Sequence, residues 1–377
     1  MFSLPYLLLT AVIFFLYLNE SRKITLFTTK SARWMAYIIL WVFVGFRGHL
    51  MSDFIVYYNY YNEQCPVIYN LNNPKAFSFE PGFVVYTSII KSIGLSYFIF
   101  IALSSLIDFI VLAWFFKRYC QSMILPIIFF IAFNGLLIEF NLLRNIKAID
   151  FFLISFPYLQ KRKFAPYLIL NLFGTLFHSS ALLYIPMFFV LQKKIPKWLI
   201  WGGFAIANII YFCNIHLISD LVNQMSLIEG TRVYDKISAY ASSAKEYKFS
   251  LGYFERTITF LLFSFLYAKL IAQNKANIIF YNCYWLYYVT FLIFNEVTVF
   301  SERIPYLFMF SYWILYPEVY FLNYKYRNFI SVAITLLVVL KVYTTYNIPS
   351  CKYENVLTGI SDYTTRKALV IKDLKSR

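Results

Sequence analysis

Long runs of apolar residues, separated by short polar segments, constrain this chain more than any other feature. A bilayer core takes about 20 apolar residues per helix, and 60% of the 377 residues are hydrophobic while only 14% are charged. The sequence therefore predicts an all-α polytopic integral membrane protein with about 12 transmembrane helices, within a range of about 10 to 13. The apolar runs lie at about 2–18, 34–46, 97–116, 122–138, 145–160, 165–191, 198–213, 253–272, 277–295, 304–322 and 328–345.

The same pattern predicts one transmembrane domain that covers residues 1–377. Two sizeable extracytoplasmic loops interrupt it, at 47–80 and at 214–252, and a C-terminal tail follows at 347–377. Residues 81–94 are apolar but form a short run, which fits a half-helix that dips into the membrane.

Basic residues decide how the chain crosses the membrane at 164–191, which is either one span or a hairpin of two short helices turning near His178. Short cytoplasmic loops hold an excess of Lys and Arg. A hairpin places the basic clusters Lys161–Lys163 and Lys193–Lys197 on the inside, with both chain termini outside, so the sequence predicts the hairpin. The net charge of +16 is then mostly an orientation signal, and no nucleic-acid partner is expected.

Ionisable residues gathered on the predicted outer face are the candidate site residues. Each such group at membrane depth costs about 2.5–3.5 kcal/mol, which makes it a functional hypothesis by default. His178 is the sharpest candidate, because a neutral imidazole near pH 7 is well suited to move a proton. The predicted site consists of Arg47, Asp53, Glu80, Arg144, His178 and Arg303.

Three of these residues also have a purely structural interpretation. An arginine at a helix end, such as Arg47, can extend toward lipid headgroups. His178 can serve as a hydrogen-bonding residue between helices, and Arg303 can form a salt bridge with Glu296 or Glu302.

Charged residues on neighbouring helices are expected to neutralise one another. Lys147 and Asp150 lie three residues apart on one helical face, so we expect them to pair and to leave Arg144 as the freer cation. Asp108 lies in the middle of its span and is expected to bond a neighbouring helix.

Cysteines and histidines do not show the spacing of a metal site, so neither a metal nor another cofactor is predicted. Asp53, Glu63 and Glu80 share one loop, and Mg²⁺ can be held by one or two carboxylates together with phosphates, which leaves metal dependence open. The pairing of Cys65 with Cys351 is also open at this stage.

Four short motifs follow one another in the first half of the chain. They are Arg47–Asp53 with Tyr57-Tyr58, Phe79–Phe83, Arg144–Ala148 and Phe177–Leu182. In this order they resemble the EpsG-like family of Wzy-type polysaccharide polymerases, over about residues 1–190, with Arg303 as a weaker late point. The sequence departs from the family pattern at Met51-Ser52, Asn145 and Ser179, none of which is an ionisable candidate.

The resemblance implies a glycosyltransferase that polymerises O-antigen or a related surface polysaccharide in the bacterial inner membrane, with its active face in the periplasm. A GT-C-like arrangement of helices is one option for its fold. The glycan would pass from undecaprenyl diphosphate to the terminal sugar hydroxyl of the next lipid-linked repeat unit. The implied partners are the undecaprenyl-diphosphate-linked oligosaccharide, membrane lipid and a chain-length regulator protein.

Roles for the candidate residues follow from that chemistry. Arginine forks bind phosphate oxygens and stabilise the charge of a diphosphate leaving group. We assign the base for the acceptor hydroxyl to His178, with Asp53 as second choice. The catalytic set is then His178, Asp53 and Arg144, and the substrate-binding set is Arg47, Glu80 and Arg303.

Two other functions compete with polymerisation. A lipid-linked oligosaccharide flippase would have a similar number of helices, and a membrane acyltransferase acting on surface glycan would also use a His and an Arg. Tyrosines 57, 58, 60 and 61 are candidates for stacking on sugar rings, although tyrosine enrichment at membrane interfaces gives the same pattern.

Overall fold

The computed structural model of the protein describes residues 1–71, 78–217, 220, 250–296, 303–322 and 325–375, and over these ranges the secondary structure is helical, without strands. The all-α prediction is therefore confirmed for this part of the chain. The main helices are α1 (Leu4–Glu20), α2 (Thr29–Gly45), α3 (Phe54–Asn59), α4 (Pro81–Ser92), α5 (Tyr97–Tyr119), α6 (Leu125–Ala132), α7 (Gly135–Asn141), α8 (Leu143–Gln160), α9 (Phe164–Thr175), α10 (Tyr184–Val190), α11 (Lys197–Phe212), α12 (Leu251–Gln273), α13 (Asn277–Ile293), α14 (Phe310–Phe321), α15 (Arg327–Tyr346) and α16 (Tyr363–Lys375).

Two helices among the described residues are long and apolar enough to cross a membrane by themselves, α5 and α15. Shorter apolar helices include α1, α9 and α11. These helices fit a polytopic membrane protein, and the number of about twelve spans stays a prediction.

Helix contacts divide the chain into two compact units, Met1–Phe188 with Tyr312–Arg377, and Phe189–Ser311. In the first unit α8 packs on α5 and α9, α2 packs on α1 and α5, and α6 packs on α1 and α15. In the second unit α13 packs on α11 and α12. The extent of a single transmembrane domain stays a prediction.

Residues 164–191 form the predicted hairpin of two short helices. Helix α9 ends at Thr175, a 3₁₀ turn covers Ser179–Leu183, and α10 runs back from Tyr184. The Tyr167 hydroxyl donates a hydrogen bond to the Tyr184 carbonyl, and the rings of Phe164 and Phe188 lie 5.1 Å apart between centroids. The two arms therefore pack side by side, with the turn at His178.

The apolar run 122–138 is not one helix. It breaks between α6 and α7 at Asn134, whose φ of 57° is left-handed, and at Gly135, where a Cβ atom would clash with Phe130. The carbonyls freed by this break are bonded by other helices: the Trp313 indole N–H donates to the Phe133 oxygen at 3.0 Å, and the Tyr346 hydroxyl donates to the Ile131 oxygen at 2.7 Å. Irregular backbone inside apolar surroundings requires such partners.

Helix α4 is too short to span a bilayer. Its 12 residues extend about 18 Å, against about 30 Å for a hydrocarbon core. It ends at Ser92, and Gly94, two residues later, has a left-handed φ of 81°. This length agrees with the half-helix predicted for 81–94.

The C-terminal tail folds back onto the segment 47–53. The amide of Gly48 donates to the Glu354 carbonyl at 2.8 Å, and the amide of Met51 donates to the Ser350 carbonyl at 3.0 Å. The tail therefore lies at the same end of the helices as the first predicted outer loop. All five cysteines fall within the described residues and are free, so Cys65 and Cys351 do not form a disulfide here.

Candidate active site

The centre of the candidate site is an ion pair between Arg144, in the first turn of α8, and Glu80, the residue before α4. The Arg144 guanidinium donates to the Glu80 carboxylate and also, through Nε, to the Tyr57 hydroxyl at 3.2 Å. It lies over the Phe79 ring, 4.5 Å from the centroid. The side chains of Arg144 and Glu80 are 18% and 21% exposed, so this charge is held in place and remains accessible.

The expected pairing of Lys147 with Asp150 is wrong. Lys147 donates instead to the Asp108 carboxylate on α5 and to the Ser104 carbonyl at 2.8 Å. Lys147 therefore pairs with Asp108 on the adjacent helix α5, and not with Asp150, three residues further along α8. Arg144 is itself ion-paired, with Glu80, although its side chain is more exposed than that of Lys147. The prediction that Asp108 bonds a neighbouring helix is confirmed.

A close backbone contact brings α4 and the hairpin turn together. The amides of Gly82 and Phe83 donate to the Leu176 carbonyl at 2.8 and 3.2 Å. A Cβ on Gly82 would lie only 2.7–2.8 Å from Leu176 atoms, so the Pro81-Gly82 step allows an approach that a side chain would prevent. The Ser179 amide then donates to the Glu80 carboxylate at 3.4 Å, which joins the ion pair to the turn.

His178 caps the 3₁₀ turn with its imidazole. Its Nδ1 atom accepts the Ser180 amide at 3.1 Å and lies 2.7 Å from the Ser180 hydroxyl. A backbone N–H can only donate, so Nδ1 is unprotonated and the proton of a neutral ring is on Nε2. The side chain of Asn145 on α8 reaches the same hydroxyl at 3.4 Å. The turn therefore presents His178 as a hydrogen-bond donor.

Asp53 lies at the start of α3, one turn before Tyr57. The side-chain oxygen of Asn141, the last residue of α7, accepts the amides of Ser52 and Asp53 at 3.1 and 3.0 Å. These bonds fix the backbone from which Asp53 projects. Asp53 is therefore joined to the Arg144 pair through α3 and the Tyr57 hydroxyl.

Arg47 is buried, with 5% of the residue exposed, so extension toward lipid headgroups does not apply to it. Its guanidinium donates to the carbonyls of Val44 and Glu139 at 2.8 and 2.7 Å and lies 5.1 Å from the Phe140 ring centroid. The observed contacts tie the end of α2 to α7. Its predicted role in binding substrate stays a prediction.

The tail shapes the backbone between Arg47 and Asp53. Arg366 donates from Nε to the His49 carbonyl at 2.6 Å, and the His49 ring packs among Phe54, Tyr58 and other aromatic rings. Burial, together with the Arg366 cation, lowers the pKa of His49 below its usual value. The hydrogen bond from Arg366 therefore holds the loop from the tail side, and the lowered pKa favours a neutral His49 ring.

Arg303 belongs to the other compact unit, where it lies in a helical turn and is exposed. Glu302, one of its predicted partners, lies outside the described residues. The other, Glu296, is fully buried, and its carboxylate lies 3.8 Å from Nδ1 of His216. A role for Arg303 in binding substrate also stays a prediction.

Three of the four tyrosines proposed for stacking on sugars are core residues. Tyr57, Tyr60 and Tyr61 are 5%, 2% and 3% exposed and pack with neighbouring aromatic rings such as Phe83. Tyr58 stacks on Tyr363 of the tail, with centroids 4.9 Å apart. The hypothesis is therefore wrong for the three buried rings, because their faces are covered by the protein itself.

Sequence reasoning missed Asn141 and understated Tyr57. Asn141 is a polar residue at the end of an apolar run, and only its position beside the 47–53 loop reveals its function. Tyr57 stood in a motif, yet its bond to Arg144 joins residues 87 positions apart. In the described part of the chain, no group of three or more His, Cys, Asp or Glu is arranged to hold a metal ion.

Comparison with known families places these residues in context. A family model, the EpsG family, matches residues 32–364, a range that contains every candidate site residue. The chain belongs to the EpsG family. No curated protein and no solved structure matches it. Membership of the EpsG family makes the chain a membrane protein of the polysaccharide-polymerase type, with glycosyltransferase-like activity.

Proposed function

We propose that this EpsG-family protein is an O-antigen or related surface-polysaccharide polymerase of the bacterial inner membrane, active at the periplasmic face. It transfers the growing glycan from undecaprenyl diphosphate to the terminal sugar hydroxyl of the next lipid-linked repeat unit. The observation that carries the proposal is the accessible Arg144–Glu80 pair, joined to the His178 turn by the Ser179 amide. About twelve spans and a GT-C-like arrangement belong to the same proposal.

Arg144 supplies the cation that this reaction needs. As the bond between the anomeric carbon and the diphosphate oxygen breaks, negative charge collects on the diphosphate. A guanidinium has five N–H donors in a planar fork, and the bonds to Glu80 and Tyr57 orient it before substrate arrives. Such a preorganised donor stabilises the developing charge more than a mobile one.

His178 and Asp53 have different roles in handling protons. Because Nδ1 of His178 accepts the Ser180 amide, the ring acts as a donor from Nε2, suited to a phosphate or sugar oxygen. This favours Asp53, the second choice from the sequence, as the base. Asp53 takes the proton of the acceptor hydroxyl while the oxygen of that hydroxyl forms the bond to the anomeric carbon. In this proposal Glu80 positions Arg144. Arg47 and Arg303 each contact substrate. A chain-length regulator protein is a further partner.

Loss of the gene distinguishes polymerisation from the competing functions. We expect a deletion strain to make lipopolysaccharide with a single repeat unit on the core and no ladder. Loss of all repeat units would identify a flippase instead, and a normal ladder with altered acylation would identify an acyltransferase. Restoration of the ladder by the wild-type gene, and by Lys161→Ala at the other end of α8, is the control.

A further inference from the structure

A groove on the surface of the first unit runs between α2 and α5, and it lies apart from the candidate active site. Its volume is about 760 Å³. The two helices are in close contact near Gly45, where a Cβ would lie 2.9 Å from the Ser105 hydroxyl and 3.2 Å from Ala102. The groove occupies the other part of the helix pair, toward the start of α2 and the end of α5.

The walls of the groove are apolar, and its end is basic. Trp34 and Ile38 of α2, and Ile110 and Trp114 of α5, line the walls and are exposed. Three basic residues line the end, and the lining contains no acidic residue. They are Lys30, Arg33 and Lys117.

Two of these three cations are well placed for an external anion. Arg33 donates to the Glu20 carboxylate at 2.7 Å, and that carboxylate also accepts the amides of Met123 and Ile124. Lys30 and Lys117 are exposed beside it. An apolar channel with cations at one end matches the shape and charge of a phospholipid with an anionic headgroup.

The basic end of the groove lies far from the proposed diphosphate site. Lys30 is in the first turn of α2, and Arg47 lies two residues after its last residue, Gly45. A helix of 17 residues extends about 25 Å, which is close to the thickness of a hydrocarbon core. A headgroup at Lys30 therefore lies in the opposite leaflet from a diphosphate at Arg144, so the lipid is distinct from the polymerase substrate.

We propose that the groove between α2 and α5 is a binding site for one anionic glycerophospholipid of the leaflet opposite the candidate active site. Lys30 and Lys117 contact the headgroup phosphate, and an acyl chain lies along Trp34, Ile110 and Trp114. The contacts proposed for the lipid use no residue of the candidate active site, and only the choice of leaflet rests on the proposed function.

Competition between lipids tests the site on the purified full-length protein. We expect native mass spectrometry to show retention of phosphatidylglycerol over phosphatidylcholine with the same acyl chains. The double variant Lys30→Gln/Lys117→Gln should weaken phosphatidylglycerol retention by at least about 10-fold. The reason is that each Lys or Arg near an anionic lipid surface contributes about 1 kcal/mol of binding free energy. Inorganic phosphate should not compete, because it lacks the chains that fill the groove.

Two matched variants separate a groove from a diffuse basic surface. Lys161→Gln/Lys163→Gln removes the same charge at the same end of the helices, where the Tyr119 hydroxyl of α5 meets Gln160 of α8 at 2.9 Å, and should retain the lipid. Ile110→Trp keeps the charge but fills the groove, so this variant should no longer retain the lipid. Equal loss in both double variants, or unchanged retention in Ile110→Trp, would overturn the proposal, provided that thermal unfolding shows each variant to be folded.

Discussion

Two ion pairs on helix α8 lie three residues apart and differ in what surrounds them. Arg144 and Glu80 are 18% and 21% exposed, whereas Lys147 and Asp108 are 6% and 0% exposed. A partly exposed pair contributes little to stability and can exchange a partner for a charged ligand. A buried pair cannot, because removal of either partner leaves a charge without solvent or counter-ion. The difference in burial therefore assigns the Arg144–Glu80 pair to the candidate site and the Lys147–Asp108 pair to the structural core.

The largest effect is expected at the buried pair. Lys147→Met leaves the Asp108 carboxylate buried without its cation, at a cost of about 3–5 kcal/mol. Thermal unfolding in detergent should show a strongly destabilised protein, and Lys147→Met/Asp108→Leu should recover part of the loss. Lys161→Met, exposed at the end of the same helix, is the control. A Lys147→Met protein as stable as wild type would remove the distinction between the two pairs.

At the accessible pair of Arg144 and Glu80, a substitution should lower activity strongly and change stability only slightly. Arg144→Gln is expected to lower polymerisation by about 100- to 1000-fold, the usual effect of losing one preorganised donor. The same change should alter the free energy of unfolding by only about 0–1 kcal/mol. Ladder formation in a complemented deletion strain measures the first quantity and thermal unfolding the second. A folded Arg144→Gln protein that makes full ladders would refute the site.

The proton assignment sharpens the comparison within the accessible region. Asp53→Asn removes the proposed base and should lower polymerisation by about 100- to 10,000-fold. His178→Gln keeps an N–H donor and should cost less than His178→Ala. Quantified ladders from the three variants decide the matter: if His178→Gln is as inactive as His178→Ala and Asp53→Asn is active, the base is His178.

A third polar network, where the tail meets the 47–53 loop, should respond to pH with a small effect. Burial and Arg366 lower the pKa of His49. Burial raises the pKa of Glu354, but hydrogen bonds from Ser361 outweigh it, so that this pKa also lies below its usual value. In both cases the unfolded chain takes up a proton first, so stability falls as the pH drops below about 6.5 for His49 and below about 4.3 for Glu354.

We therefore expect the free energy of unfolding to be lower at pH 5 than at pH 7.5. Thermal unfolding at pH 7.5 and pH 5 measures it, and His49→Phe should flatten the response. A wild-type protein that is more stable at pH 5 than at pH 7.5 would contradict the assignment of a neutral His49.

Local pattern was enough to predict some of these features and insufficient for others. The hairpin at 164–191 followed from basic clusters, because membrane orientation acts on short stretches of sequence. The break at Asn134 did not, because it depends on Trp313 and Tyr346, which bond the freed carbonyls from distant helices. Helix termini with their own capping residues, such as Thr28 before α2, are in contrast local.

The candidate site shows the same division. Arg144, Glu80 and His178 were identified as polar groups that a membrane does not tolerate without a reason. Their pairing was not, since Glu80 and Arg144 are separated by 64 positions. The rule that residues three apart on a helix interact gave Lys147 the wrong partner, because packing of α5 against α8 placed Asp108 closer.

The return of the tail onto the 47–53 loop has a consequence for biogenesis. Ribosomes release the first loop long before residues 350–366, yet the amides of Gly48 and Met51 find their acceptors only on those late residues. The segment between Arg47 and Asp53 therefore reaches its final shape only when synthesis of the chain is nearly complete. A chain that ends before Ser350 lacks both of these acceptors, so its 47–53 segment cannot be held in the arrangement described above.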